Sequence, residues 1–386
     1  MKRSTKFFFV PLALIAVLAV SLVGTLLIRR DANAAPASAC TWKVVSSPSV
    51  NNLNNQLNSI AAISATNVWA VGYTLSNYNE QRSLVEHWNG TKWIIVATPK
   101  LHANASPLYS VSADAANDVW AVGYVGKSRQ SSNTLIEHWN GTQWSVVPSA
   151  NTGYIDVLYG VTAMTPDNVW AVGSYNNEQD VLIEHWDGTQ WSIVPGVSPG
   201  DSNNLNSIAA ISANDIWAVG YSLSSTSEGT LTEHWDGTQW SVVSSASVRG
   251  NGSYLLSVSA SATNNVWAVG YVTNYDQTLI ERWDGTKWSL VPGIPPSSKN
   301  EVQLNGVIAL SSSNVWMAGY TGLEAQTLIG RWNGTKWSKV SSPSPGTQNN
   351  DLQAIASVPG TNQLWAVGFL FDPSSRFTKT LIESYC

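Results

Sequence analysis

The chain has 386 residues, of which 44% are hydrophobic and only 12% are charged. This composition excludes a largely disordered chain, because apolar side chains are frequent enough to build a core. The formal net charge is −5, and removing the first 34 residues takes away five basic side chains and one acidic side chain, which leaves −9. An acidic chain without a basic patch offers little to phosphate groups, so we expect no nucleic-acid partner.

The first 39 residues differ in kind from the rest of the chain. Lys2, Arg3 and Lys6 precede an apolar run over residues 7–28, and small residues with A-x-A spacing follow. This order predicts a signal peptide with a short linker over residues 1–39, and therefore a secreted or extracytoplasmic protein. The apolar run has 22 residues, which is long enough to span a bilayer, so an uncleaved N-terminal anchor is the alternative. We expect no other membrane insertion.

Tryptophan marks an internal repeat. The motif Val-Trp-Ala-Val-Gly, or a close variant, occurs seven times at intervals of 47–51 residues, with its tryptophan at Trp69, Trp120, Trp170, Trp217, Trp267, Trp316 and Trp365. A second motif, Glu-His-Trp-Asn/Asp-Gly-Thr-x-Trp or a variant of it, follows each of the first six. All 20 tryptophans are repeat positions. Self-similarity at this period is typical of propellers and solenoids.

Each unit contains four predicted strands, which in the first unit cover residues 57–63, 68–73, 84–88 and 92–96. The second strand is continuously apolar, as expected for a sheet covered on both faces. Asn89-Gly90 predicts a type I′ hairpin with two residues at positive φ. Four antiparallel strands in each of seven units predict an all-β, seven-bladed β-propeller over residues 40–386. A solenoid is the alternative, but it needs polar capping repeats that we do not find in the sequence.

The seventh unit is divided between the two ends of the chain. Its first three strands end at Tyr385, and Trp42–Ser46 matches the missing fourth strand. The two cysteines, Cys40 and Cys386, flank the place where the other units have a hairpin. We therefore predict that the N-terminal strand completes the last blade and that a Cys40–Cys386 disulfide replaces the missing turn, which fits an oxidising compartment. Lipidation of Cys40 is the alternative.

These motifs resemble those of known propeller families. The hairpin Asp187-Gly188-Thr189-Gln190-Trp191 is similar to the Asp-box turn of sialidase-type propellers, although it is one residue shorter and lacks the leading serine. The period is similar to that of kelch repeats, without their double glycine, and the Val-Trp-Ala-Val-Gly strand resembles propellers of photosystem-assembly and related extracytoplasmic factors. The resemblance covers residues 41–386 and implies a secreted bacterial propeller. It implies no activity, because propellers host many.

Titratable side chains follow the repeat instead of clustering. A sialidase-type site implies grouped arginines and a galactose-oxidase-type site implies a Cys–Tyr crosslink, and neither fits scattered arginines and terminal cysteines. A glutamate recurs in six units and a histidine in four, namely Glu86, Glu137, Glu184, Glu233, Glu281 and Glu383, with His87, His138, His185 and His234. Equivalent positions on separate blades diverge, so we expect framework roles, no metal site and no cofactor. We expect the glutamates to bond a neighbouring strand or a Trp N–H, and each histidine to pair across its hairpin with Lys or Gln.

The variable connections predict where a ligand binds. Second-to-third-strand loops and blade-to-blade loops vary and emerge on the same face of the ring, here called the variable-loop face. The residue after the first-strand leucine should lie near the channel mouth, which predicts a ligand site of Asn58, Tyr109, Tyr159, Asn206, Asn305 and Gln353. We expect a secreted, monomeric, non-enzymatic recognition or scaffold module for an extracellular glycan or protein. The alternatives are a polysaccharide-acting hydrolase or lyase at the channel mouth and a structural envelope or matrix component.

Overall fold

The computed structural model describes residues 40–128, 131–153, 155–225, 228–246, 252–273, 277–294 and 302–386. The predicted signal peptide or anchor over residues 1–39 lies outside these ranges. These described residues form strands and turns and contain no α-helix. They therefore contain no helix that could cross a membrane.

The strands of the described residues form seven antiparallel sheets of four, the blades of a propeller. Blade 1 contains β2 (Asn54–Ser64), β3 (Asn67–Leu75), β4 (Gln81–Trp88) and β5 (Trp93–Ile95). Blade 2 contains β6 (Leu108–Ala115), β7 (Asp118–Ser128), β8 (Ser131–Trp139) and β9 (Trp144–Val146). Blade 3 contains β10 (Val157–Thr165), β11 (Asn168–Tyr175), β12 (Asp180–Trp186) and β13 (Trp191–Ile193). Blade 4 contains β14 (Ser202–Ser212), β15 (Asp215–Leu223), β16 (Glu228–Trp235) and β17 (Trp240–Val242).

The remaining blades follow the same order. Blade 5 contains β18 (Ser253–Ala262), β19 (Asn265–Val272), β20 (Thr278–Trp283) and β21 (Trp288–Leu290). Blade 6 contains β22 (Val302–Ser311), β23 (Asn314–Thr321), β24 (Gln326–Trp332) and β25 (Trp337–Val340). Blade 7 contains β26 (Gln348–Ser357), β27 (Leu364–Asp372), β28 (Phe377–Tyr385) and, from the other end of the chain, β1 (Trp42–Val44). The predicted seven-bladed architecture is confirmed.

Aromatic side chains fill the seam between each blade and the next. The tryptophan of a second strand packs against two tryptophans of the following blade, as Trp69 does against Trp139 and Trp144, with ring centroids 4.9 and 5.4 Å apart. At the seam between blades 6 and 7, Trp316 packs against Tyr385 at 5.0 Å. The wide indole rings fill the wedge between twisted sheets, and their burial with the neighbouring aliphatic side chains stabilises the ring.

Strand pairing and a covalent bond close the ring together. Trp42 lies opposite Tyr385, and Val44 lies opposite Glu383, so β1 continues the sheet beyond β28. Cys40 and Cys386 form a disulfide with their Cα atoms 4.7 Å apart. Both predictions for ring closure are confirmed, and the disulfide is the expected chemistry of an extracytoplasmic environment.

The hairpins between third and fourth strands differ from the predicted type I′ turn. Asn89 Oδ1 accepts hydrogen bonds from the Thr91 amide, the Thr91 hydroxyl and the Lys92 amide at 3.0, 2.8 and 3.1 Å. Gly90 has a φ of 92°, while Asn89 is not at positive φ. The turn prediction was therefore wrong, because the asparagine side chain itself organises a four-residue loop and only glycine needs the left-handed region.

Candidate ligand site at the central channel

Every innermost strand carries a β-bulge at the residue after its leucine. In blade 1, Leu57 pairs with Gly72 and Ser59 pairs with Val71, so Asn58 is skipped in the ladder. A Cβ at Gly72 would lie 1.9 Å from the Gln56 carbonyl oxygen, which explains why the repeat has glycine there. The skipped residues of the seven blades are Asn58, Tyr109, Tyr159, Asn206, Leu256, Asn305 and Gln353.

All seven bulge residues line one cavity of about 230 Å³ at the centre of the ring. The structure thus brings together the six predicted site residues and adds Leu256; their ligand-binding role stays a prediction. Serines that directly follow a bulge residue in the sequence also line the cavity. Aliphatic residues such as Ile60 and Ile208 are among the other lining residues. None of the described lining residues carries a formal charge.

The three asparagines of the predicted site also join neighbouring blades. The Nδ2 groups of Asn58 and Asn206 each donate to a leucine carbonyl of the next blade at 2.7 Å. Asn305 Nδ2 donates to the Leu352 carbonyl and to Asp351 Oδ1, both at 2.9 Å. Burial raises the pKa of Asp351 to about 7. These amides are therefore oriented by the framework before any ligand arrives.

Two groups of tyrosines lie along the variable-loop face and are together called the tyrosine arc: Tyr124, Tyr109 and Tyr159 in blades 2 and 3, and Tyr221, Tyr254 and Tyr271 in blades 4 and 5. Ring centroids of Tyr109 lie 6.1 Å from Tyr124 and 5.3 Å from Tyr159. Those of Tyr254 lie 4.9 Å from Tyr221 and 5.0 Å from Tyr271. Sequence reasoning found only Tyr109 and Tyr159, although tyrosine after the repeat glycine in five blades was a usable signal.

Tyr221 interacts electrostatically with tyrosines of both groups. Burial and a 2.8 Å hydrogen bond from its hydroxyl to Glu178 Oε2 raise its pKa, and the phenols of Tyr159 and Tyr254 raise it further. The tyrosine therefore stays protonated under all ordinary conditions, and Glu178 places a carboxylate beside the arc.

The repeated glutamates are buried framework groups. All six side chains are inaccessible to solvent, and burial raises the pKa of Glu86, Glu184 and Glu383 to about 8. Glu233 and Glu281 accept hydrogen bonds from backbone amides of the preceding blade connection, at 3.2 and 3.1 Å. The predicted bond to a neighbouring segment is found, with backbone amides and the Ser83 hydroxyl as the observed donors instead of tryptophan N–H groups.

The repeated histidines stack on tryptophan. His87 lies 4.2 Å from the Trp69 ring, and its Nε2 lies 2.8 Å from Asn67 Oδ1. The predicted pairing with Lys or Gln across the hairpin was wrong, because the residue opposite His87 is Ile94. Arg282 replaces the histidine in blade 5 and lies 5.2 Å above the Trp267 ring. No group of three metal-ligating side chains occurs in the described part of the chain.

Comparison with known proteins identifies relatives of the fold alone. No family model and no curated protein matches the chain, so neither the Asp-box nor the kelch type is confirmed. A solved structure of YCF48 bound to D1 peptide is 15% identical, with a TM-score of 0.56 over 89% of this chain and 96% of that chain. YCF48 from Cyanidioschyzon merolae is 14% identical, with a TM-score of 0.56 over 89% and 98%.

A solved polysaccharide lyase shares the fold of this chain. This ulvan lyase, bound to GlcA(1-4)Rha3S, is 8% identical, with a TM-score of 0.56 over 88% of this chain and 95% of that chain. At such identities the likeness extends to the fold and not to the activity. The chain is a seven-bladed β-propeller.

Proposed function

We propose that this protein is an exported recognition module that binds an extracellular glycan or protein on its variable-loop face and catalyses no reaction. The central cavity carries this proposal, because its described lining consists of amide, hydroxyl, aromatic and aliphatic side chains. Such groups orient and stack a ligand, and they provide no paired acid and base.

The enzymatic alternative needs titratable groups that converge on the channel. General acid–base cleavage of a polysaccharide uses two groups within roughly 5–10 Å of the reacting atoms. The buried glutamates lie in separate blades and are not among the described lining residues. Asp351 is already bonded to Asn305. The arrangement therefore favours binding over catalysis. The Cys40–Cys386 disulfide supports export, because such bonds persist in oxidising compartments.

A binding screen of the exported protein on a glycan array and a panel of extracellular proteins tests this proposal. The double variant Tyr109→Ala/Tyr159→Ala should bind the selected ligand at least several-fold more weakly and remain folded, because both side chains are half-buried at the mouth. Gln239→Ala, exposed on the opposite hairpin face, is the matched control. Normal binding by the double variant and loss of binding by the control would show that the ligand uses the other face.

A further inference from the structure

The channel mouth has an aromatic side and an amide side. Blades 2 and 3 place Tyr109 and Tyr159 on the cavity, 5.3 Å apart with an angle of 30° between the rings. Blades 6, 7 and 1 follow one another on the other side and place Asn305, Gln353 and Asn58 on the cavity, with Gln303 and Gln56 bonded to the two asparagines. A ligand held between these sides needs an apolar face for the tyrosines and uncharged hydrogen-bonding groups for the amides.

Side-chain bonds hold the amide side in fixed orientations. Gln56 Nε2 donates to Asn58 Oδ1 at 2.8 Å, and Tyr73 donates from its hydroxyl to Gln56 Oε1 at 3.0 Å. Blade 6 repeats this chain, with Gln303 Nε2 donating to Asn305 Oδ1 at 2.8 Å. Amides fixed in this way are preorganised, so a ligand loses less free energy in ordering them.

The charges around the site disfavour an ionic ligand. The described cavity lining has no cation that could neutralise a carboxylate or sulfate. Glu178, which bonds Tyr221, places negative charge beside the tyrosine arc and repels polyanions. A cationic ligand finds no ionised carboxylate in the described lining either.

The size of the cavity limits what enters it. Its volume of about 230 Å³ lies below the roughly 300–1,000 Å³ that enclose a drug-sized ligand. One small unit of a chain therefore fits inside, and further units must lie on the surrounding face. The tyrosine arc continues beyond Tyr109 and Tyr159 into two more blades, where Tyr221, Tyr254 and Tyr271 offer further rings to such units.

We propose that the ligand is an uncharged glycan chain, one sugar ring of which enters the cavity against Tyr109 and Tyr159 while the following rings lie along the tyrosine arc. The C–H-rich face of a pyranose matches an aromatic ring, and its hydroxyl groups match the amides and serines of the cavity. This inference rests on the recognition function proposed above and names the ligand of the same site.

Titration of the exported protein with uncharged hexasaccharides of glucose, mannose, galactose and N-acetylglucosamine tests the ligand class, with hexagalacturonate and a sulfated hexasaccharide as charged counterparts. At least one uncharged hexasaccharide should bind, and Tyr159→Leu should weaken its binding about tenfold, because leucine keeps apolar volume but removes the ring face. Tyr159→Phe keeps the face and should retain most of the affinity. Tyr78→Ala, 90% exposed on the same face and outside the tyrosine arc, should bind normally.

The outcomes separate this inference from the function on which it rests. Binding of charged oligosaccharides or of a random peptide library at this face, without binding of uncharged hexasaccharides, overturns the ligand class and leaves the recognition function intact. Full binding of an uncharged hexasaccharide by Tyr159→Leu, or its loss in Tyr78→Ala, overturns the assigned position. Failure of every glycan, protein and peptide to bind this face overturns both.

Discussion

Met317 lies directly opposite Gly330 in the ladder between β23 and β24, and the two residues together occupy the space of an alanine and a buried glutamate. A Cβ at Gly330 would lie 2.3 Å from the Met317 terminal methyl carbon, so the methionine fills the place of the missing side chain. In blade 1 the same pair is Ala70 opposite Glu86. A blade thus assembles without its buried carboxyl when an apolar side chain replaces it, which supports a framework role for the glutamates.

Introducing the methionine–glycine pair of blade 6 at the equivalent positions of blade 1 tests this relationship. Glu86→Gly alone should lower the free energy of unfolding by about 2–4 kcal/mol, because it leaves a void beside Ala70. Ala70→Met alone should also destabilise, because the longer side chain collides with the buried glutamate. The double variant should recover at least half of the summed loss, as measured by urea unfolding in a double-mutant cycle. Additive losses would show that the two positions are not coupled.

The buried carboxyls predict that stability falls as pH rises. Burial raises the pKa of Glu86, Glu184 and Glu383 from 4.5 to about 8 in the folded protein. Below about pH 4.5 these groups are neutral in both states, and between 4.5 and 8 only the unfolded chain ionises. Each group therefore lowers the free energy of unfolding by about 1.4 kcal/mol for each pH unit between pH 4.5 and pH 8. Above pH 8 its contribution is constant.

Calorimetry at pH 5 and pH 9 measures this effect directly, and the melting temperature should be lower at pH 9. The variant Ala70→Met/Glu86→Gly is the control, because it has one ionising carboxyl fewer and should lose less stability over the same range. A melting temperature that stays constant or rises toward pH 9 would contradict the assignment of these glutamates as buried, neutral acids.

A proline removes the backbone donor beside one of the buried glutamates. Val197 and Ala246 lie six residues after the outer-strand tryptophan of their blades, and their amides donate to Glu233 and Glu281. The equivalent residue before Glu383 is Pro343, which has no amide hydrogen, and neither Glu383 oxygen has a partner in the described structure.

Pro343→Ala should therefore lower the pKa of Glu383. The added N–H should shift it downward from about 8, because a backbone amide that donates to a carboxylate favours the ionised form. Carbon-13 NMR of labelled glutamate carboxyls measures this pKa independently of the effect of proline on the unfolded chain. Pro345→Ala, an exposed change two residues away, is the control. An unchanged pKa in Pro343→Ala would mean that its amide does not reach Glu383.

The architecture could be predicted from the sequence because its determinants are local and repeated. Each tryptophan motif specifies one strand and its seam, and Cys40 and Cys386 mark the interrupted hairpin. The candidate site could be predicted only in part, because the tyrosine arc joins side chains of different blades that become neighbours when the ring closes. Tyr221 and Tyr254, 33 positions apart, illustrate this. The bulge at Asn58 has a local signal in the repeat glycine, but its register depends on the paired strand.

The terminal disulfide determines which part of the ring we expect to open first. β1 has three residues and is joined to blade 7 by pairing with β28 and by the Cys40–Cys386 bond, across a sequence separation of 346. The bond restricts the unfolded chain, so Cys386→Ser should lower the free energy of unfolding by about 2–5 kcal/mol and lower the melting temperature. Short terminal strands open at low cost, so hydrogen exchange should accelerate first at Lys43 and Val44 and along β28.

Reduction separates the contribution of the bond from that of the serine. Dithiothreitol should lower the melting temperature of the unmodified protein to that of Cys386→Ser and should leave the variant unchanged. Exchange at the blade 4 strand β16 should remain slow in both, because its seams are distant from the ends of the chain and keep their tryptophan contacts. A variant that melts like the unmodified protein, or that exchanges first in a blade other than blade 7, would show that strand pairing and the Trp42–Tyr385 contact close the ring without help from the disulfide.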